Sequence, residues 1–436
     1  MTCETSHDCS TSIYVLQQHS TFITHSTFIT HSTFIIHSTF TPQHFTPTVL
    51  LHYSTFTPTA LLHSATLHLA HCTRHFALET KMSMSERAFL PITTPPKTNT
   101  PYGKRGTSSL AAQLASAIPE NEFTPDPNTR YGEIWMGDHP SNSSSLILDD
   151  GSKVPLWKVI SEDPKRYLGA EVFQKFQDTP SGFEENEDGG EPLKHLPFLF
   201  KVLSFDRALP LQMHPNRVFT AKLMGWKEYR EALKGPGGHL VDHNYKPKVA
   251  VCISENFDGF IGFRPLVEIQ RFLGKVPELG DAIGDEEAVQ GILRVQLHDP
   301  SPLDVDDERK LLKRLFSGIV RRSDEVISEQ CLKLAARLDE HGDGAVVGDN
   351  YMALGRVIRK CLKDYPNDKG VFMGFLMNLV SLKYGEGVVV GVDEIHAYVE
   401  GDIVECMAWG DNVGVPIPPP WPYLECAGFA SDIHVC

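Results

Sequence analysis

The chain has 436 residues, 41% hydrophobic and 22% charged, enough for two or three soluble globular domains. A net charge of −15 argues against nucleic-acid binding, which needs a basic face. Nothing approaches the about 18 consecutive apolar residues of a membrane span, and nine cysteines without a CxxC pair suggest reduced thiols in a cytoplasmic protein.

Residues 1–95 differ from the rest. The unit His-Ser-Thr-Phe-Ile-Thr recurs from His19 to Phe40, and eleven of the twenty histidines precede Arg87. The tract lacks the basic start of a signal peptide and the arginines of a transit peptide. It reads as a low-complexity, disordered tail with aggregation-prone Thr/Phe/Ile runs. An internal start at Met82 or Met84 would leave most of it untranslated.

From Tyr102 the chain reads as globular. Gly103-Lys-Arg-Gly106 predicts a turn. Residues 108–117 predict a short helix with Leu110, Leu114 and Ala117 on its buried face. Strands are expected at 131–135 and 196–204, and through the alternating stretch 248–263. The acidic segment between Ile283 and Ala288 reads as solvated surface. Asp304 or Asp306 can cap a helix whose apolar positions include Leu311, Leu312, Leu315, Phe316, Ile319 and Val320. Helical spacing returns at 326–338 and 351–362. Strands resume at 388–390, 396–399 and 403–407. The proline-rich segment 414–436 cannot continue a central strand and reads as a tail. The simplest parse is a mainly β scaffold with a helical insertion of roughly 100 residues.

Gln212-Met-His-Pro215 follows the apolar run 196–204. Residues two apart on a strand share a face, so Gln212 and His214 would project side by side as half of a metal site. His396, on a second expected strand, is a candidate for the other half.

Tyr131-Gly-Glu-Ile-Trp-Met-Gly-Asp-His-Pro140, Leu196-Pro-Phe-Leu-Phe-Lys-Val-Leu-Ser204, Gln212-Met-His-Pro215, Lys246-Pro247, Gly262-Phe-Arg-Pro-Leu266 and Glu394-Ile-His-Ala-Tyr398 with Gly401-Asp-Ile-Val-Glu-Cys-Met407 occur in this order. Together they resemble type I mannose-6-phosphate isomerase in its eukaryotic form, over residues 100–413. The resemblance implies a cupin-like jelly-roll β-barrel, in two parts at 96–265 and 381–413, around a helical domain at 266–380. It implies interconversion of mannose 6-phosphate and fructose 6-phosphate, feeding GDP-mannose synthesis. It also implies one zinc per chain, held by Gln212, His214 and His396 with a glutamate. Lys246, Glu405, Asp402 and Glu133 become candidate catalytic residues. The implied partner is a small sugar phosphate, with neither nucleic acid nor membrane.

The sequence departs from this pattern at the fourth ligand. The family's His-Lys-Pro-Glu appears as Tyr245-Lys246-Pro247-Lys248. A carboxylate about 4 Å from a cation attracts it by about 4 kcal/mol per unit charge at an effective dielectric of 20, and an ammonium repels it by as much. Protonated lysine also has no lone pair to donate. His243 is close enough in sequence to be a substitute ligand. Pro210 replaces a family serine, and Val415 stands where the family has a functional arginine. A further β-barrel domain of the family is not expected within 436 residues. These departures leave a second expectation, a catalytically impaired homologue that serves at most as a sugar-phosphate-binding module.

Overall fold

The computed structural model describes residues 91–98, 100–178, 194–214, 216, 246–296 and 303–410. The expectations for residues 1–90, Pro215, His243, Tyr245 and 411–436 lie outside the described residues.

Twelve strands are described, in chain order: β1 Ile92–Thr93, β2 Pro96–Thr98, β3 Lys104–Arg105, β4 Arg130–Met136, β5 Ser145–Ile147, β6 Lys153–Pro155, β7 Phe198–Phe205, β8 Lys248–Cys252, β9 Asn256–Phe263, β10 Met377–Lys383, β11 Gly387–Val390 and β12 His396–Ala408. The main sheet runs β10-β9-β12-β7-β4-β2, with β8 joining β11 to β12. Its strand pairings among the described residues are all antiparallel. A small sheet, β1-β5-β6, stands apart from it.

β12 organises the barrel. Its first residues pair with β9, and from Gly401 onward it pairs with β7 and β8. The change of partner falls at a register irregularity between Tyr398 and Glu400, followed by Gly401 at φ +142°. Such a bulge bends a strand and raises its twist, letting one strand turn a barrel corner. The expected strands at 396–399 and 403–407 are therefore one bent 13-residue strand.

Other expectations need correction. Lys104 and Arg105 do not form a simple turn but pair with β4. The helix at 108–117 is α1, Leu110–Ser116, capped by Ser109, but its fully buried residues are Ala111, Ala112 and Ala115. Leu114 points outward, at 39% exposure. Alanines let α1 lie closely against the sheet, where Ala111 and Ala115 pack with Ile134 and Val202. The stretch 248–263 forms two strands, β8 and β9, rather than one. Strand β10 begins at Met377, inside the stretch expected to be helical, and pairs with β9.

Three short helices, α2 Leu156–Glu162, α3 Pro164–Leu168 and α4 Ala170–Asp178, follow β6. Between β9 and β10 lie α5 Leu266–Lys275, α6 Pro277–Ile283, α7 Glu286–Arg294, α8 Val305–Arg321, α9 Asp324–His341, α10 Asp343–Val347, α11 Met352–Asp364 and α12 Gly370–Met373. Their apolar faces share one large core that also takes in Phe260 and Phe263 of β9. Asp304 is the cap of α8, accepting from the Asp307 amide. The acidic segment near 285 is more than solvated surface. Asp285 caps α7 by accepting from the Ala288 amide, and it also pairs with Arg314 at 2.7 Å. Side-chain capping of this kind satisfies a helix-terminal amide. Among the described residues no helix is long and apolar enough to cross a membrane. Cys252, Cys331, Cys361 and Cys406 are all free thiols.

Candidate functional site

Cross-strand register assembles a polar row inside the barrel. Glu405 of β12 stands opposite Lys201 of β7, and Lys201 stands opposite Trp135 of β4. Glu133 lies two residues before Trp135, hence on the same face, and pairs in register with Lys97 of β2. Lys248 opens β8 opposite Met407, two residues beyond Glu405. A cavity of about 260 Å³ gathers these groups with Tyr102, Gln212, Lys246, His396 and Tyr398.

The charges interlock. Trp135 Nε1 and the Tyr102 hydroxyl both donate to the Glu133 carboxylate, and Lys201 lies 3.8 Å from it. The Lys97 and Lys201 ammonium groups sit 3.4 and 3.7 Å from the Trp135 ring centroid, a cation–π arrangement. Burial alone would raise the Glu133 pKa, but Lys201, Lys97 and the two hydrogen bonds bring it down to about 2. Glu405 accepts from the Tyr398 hydroxyl at 3.1 Å and lies 3.7 Å from Lys248. Burial, with the Glu405 charge, holds the Tyr398 phenol well above its ordinary pKa.

The metal-site expectation meets a specific obstacle. Gln212 and His396 form an antiparallel bridge, with both backbone hydrogen bonds at 2.9 Å. Gln212 and His214 are not on a regular strand, since β7 ends at Phe205. The rings of His214 and His396 are nonetheless brought to 5.1 Å between centroids. His396 Nδ1 lies 2.9 Å from the Glu394 carbonyl oxygen. That oxygen can only accept, so Nδ1 carries the proton and Nε2 presents its lone pair. The Lys248 ammonium is 3.2 Å from that lone pair. Burial, then Lys248, keeps His396 well below the ordinary histidine pKa. Burial also pushes the Lys248 pKa down, and Glu405 opposes it.

These donors do not fit a zinc site as placed. The nitrogen that would coordinate the ion accepts from an ammonium instead. Among the described residues no three His, Cys, Asp or Glu side chains gather where they could hold a metal.

Of the other candidates, Lys246, Glu405 and Glu133 line the cavity. Asp402 does not. It is an odd number of residues from Glu405 on β12 and so faces the opposite side. There it binds Lys104 and Ser204, each at 2.6 Å. Sequence reasoning missed Lys97, Lys201, Tyr102 and Tyr398. Lys201 carried a readable signal, a lysine in the middle of the apolar run Phe198–Leu203, and the structure buries it.

Residues 94–266 match the catalytic domain of type I phosphomannose isomerase, and residues 282–377 match its helical insertion domain. A mannose-6-phosphate isomerase of Candida albicans is 35% identical over 319 residues, covering 72% of this chain and 65% of the relative. That of Cryptococcus neoformans is 34% identical over 328 residues, covering 72% and 67%. The mouse protein is 34% identical over 313 residues, covering 71% and 65%. The chain thus spans just under two thirds of the length of the Candida and mouse relatives. A mutant phosphomannose isomerase from Salmonella typhimurium superposes with a TM-score of 0.60 at 23% identity, covering 80% of this chain and 75% of that one. A mannose 6-phosphate isomerase bound with zinc and yttrium gives 0.59 at 24% identity, with the same coverage. At such identity these structures speak for the cupin-like fold. With the matched domains and the curated relatives, the chain belongs to the type I phosphomannose isomerase family.

Proposed function

We propose that the barrel cavity binds a hexose 6-phosphate and serves the interconversion of mannose 6-phosphate and fructose 6-phosphate, in the cytoplasm, supplying GDP-mannose synthesis. The observation that carries this reading is the convergence of Glu133, Glu405, Lys97, Lys201, Lys246 and Lys248 on one cavity of about 260 Å³. The domain division proposed with it is a cupin-like part at 96–265 and 381–413 around a helical insertion at 266–380.

Aldose–ketose isomerisation moves a proton between C1 and C2 through an enediol while the carbonyl oxygen gains negative charge. Glu405 is the group proposed to carry the proton. Glu133, with its pKa near 2, is too weak a base near neutrality. Its role is to accept hydrogen bonds from sugar hydroxyls and to hold Lys97 and Lys201 in place. Lys246 and Lys201 meet the phosphate as charge-assisted donors. The Lys248 ammonium supplies positive charge beside the developing oxyanion. Any zinc at this site, one per chain by the family resemblance, would be held weakly, because Lys248 stands against the His396 nitrogen that would bind it.

A second reading, sugar-phosphate binding without turnover, is favoured by that same contact. Metal analysis, calorimetric titration with mannose 6-phosphate and assay of fructose 6-phosphate decide between the two. Turnover that Glu405→Gln abolishes supports the first reading. Saturable binding with no product supports the second. Neither binding nor product overturns both.

A further inference from the structure

We propose that the junction of α6, α7 and α8 is a second anion site, which takes a phosphate group on the helical insertion. A pocket of about 360 Å³ opens there, lined by Lys313, Arg314, Arg321, Arg322, Ser317 and the Ile283-Gly284-Asp285 turn. It concentrates four cations in a chain whose net charge is −15. General basicity therefore does not account for it.

Arg314 is already committed, to Asp285 at 2.7 Å and to Glu287 at 2.9 Å. Arg321 is exposed at the last turn of α8. Arg322 lies across Gly284, which adopts φ +66°, and a Cβ at that position would collide with the guanidinium. The turn thus accommodates the guanidinium only because residue 284 has no side chain. Arg322 Nε is enclosed and meets no acceptor among the described residues. That Nε is closed to solvent, so an incoming oxygen would meet the outer guanidinium N–H groups of Arg321 and Arg322, neither of which has a side-chain ion-pair or hydrogen-bond partner among the described residues. Favourable interaction with the C-terminal dipole of α8 would account for an exposed Arg321, but not for a half-buried Arg322 laid over Gly284 without a partner among the described residues. Arginine forks and a hydroxyl suit the tetrahedral oxygens of phosphate. The pocket greatly exceeds the roughly 30 Å³ share of one water, leaving room for a phosphomonoester.

The shared chemistry is a phosphate dianion, either free or carried by a sugar. The test is calorimetric titration of the full chain with inorganic phosphate, and separately with mannose 6-phosphate, at constant ionic strength. The parent is compared with Arg321→Gln/Arg322→Gln and with Lys201→Gln/Lys246→Gln. The arginine variant is expected to lose one binding event, its affinity falling about tenfold or more. The lysine variant is expected to keep that event and lose the one in the barrel. Loss with both ligands assigns a phosphomonoester site, and loss with inorganic phosphate alone assigns free phosphate. An arginine variant with the parent's isotherms for both ligands overturns the proposal, whatever the barrel does. If circular dichroism shows that the double variant misfolds, Arg321→Gln alone, an exposed change, replaces it. That single variant must weaken the event at least about threefold, and an unchanged affinity overturns the proposal as surely.

Discussion

The Lys248 ammonium sits 3.2 Å from Nε2 of His396, on the lone pair that a metal would use. Nδ1 of the same ring faces the Glu394 carbonyl, the usual outer partner of a metal-bound imidazole. The histidine is thus oriented as a ligand while its coordinating atom is occupied by a cation.

Replacing the ammonium by a carboxylate should recreate a cation site. Lys248→Glu would put a carboxylate beside His396 Nε2, in the cavity that Glu405 also lines. Zinc content by elemental analysis is expected to rise from below about a tenth of an equivalent to near one per chain, since the charge change is worth several kcal/mol. No gain in zinc in a folded variant would count against Lys248 as the cause of the defect.

Removing the cation without adding a ligand should destabilise the barrel. Lys248 and Glu405 are 3.7 Å apart, with side chains only 5% and 3% exposed. Lys248→Met leaves Glu405 buried with the Tyr398 hydroxyl as its remaining donor among the described residues. Breaking a buried pair from one side typically costs about 3–5 kcal/mol, and urea unfolding should show a loss of that order. An unchanged midpoint would mean that the pair contributes nothing.

Glu133 links stability to acid. Its folded pKa of about 2 lies below the ordinary 4.5, so its contribution is present above pH 4.5 and is lost as pH falls towards 2. The difference is worth roughly 3 kcal/mol at neutrality. Glu133→Gln should be less stable near pH 7, and its stability should fall less steeply between pH 4.5 and 2. Parallel stability–pH curves for parent and variant would refute this.

Asp402 should matter for stability and not for ligand. It binds Lys104 and Ser204 on the face of β12 turned from the cavity. Asp402→Asn is expected to leave mannose 6-phosphate affinity within about twofold while costing about 1–2 kcal/mol in urea unfolding. A tenfold loss of affinity at unchanged stability, about 1.4 kcal/mol of binding, would place Asp402 in the site after all.

Motif order in the chain was enough to read the family and the cupin-like fold, and it named Gln212, Lys246, His396, Glu405 and Glu133, which line the cavity. Ordered motifs bring Gln212, His396 and Glu405 with them, because a bridge fixes the first two and β12 carries the third. The sequence also showed Lys248 where the family has a glutamate. Period-two alternation made the strands readable, and capping chemistry made α8 readable from Asp304. The helix face at 108–117 misled because leucines weigh more than alanines in a hydrophobic pattern, although close packing against a sheet selects the smaller residues.

Which charges meet depends on strand pairing. Lys97, Lys201 and Glu405 come from three strands far apart in sequence, and only antiparallel register brings them to one face. The bulge before Gly401, invisible to periodicity, bends β12 so that His396 and Glu405 serve the same cavity. The same alternation turns Asp402 outward. Finally, the fold set the Lys248 ammonium against the His396 lone pair, turning a one-letter departure into a definite physical contact. Non-local contacts of this kind depend on strand pairing and burial, which no local pattern in the chain encodes.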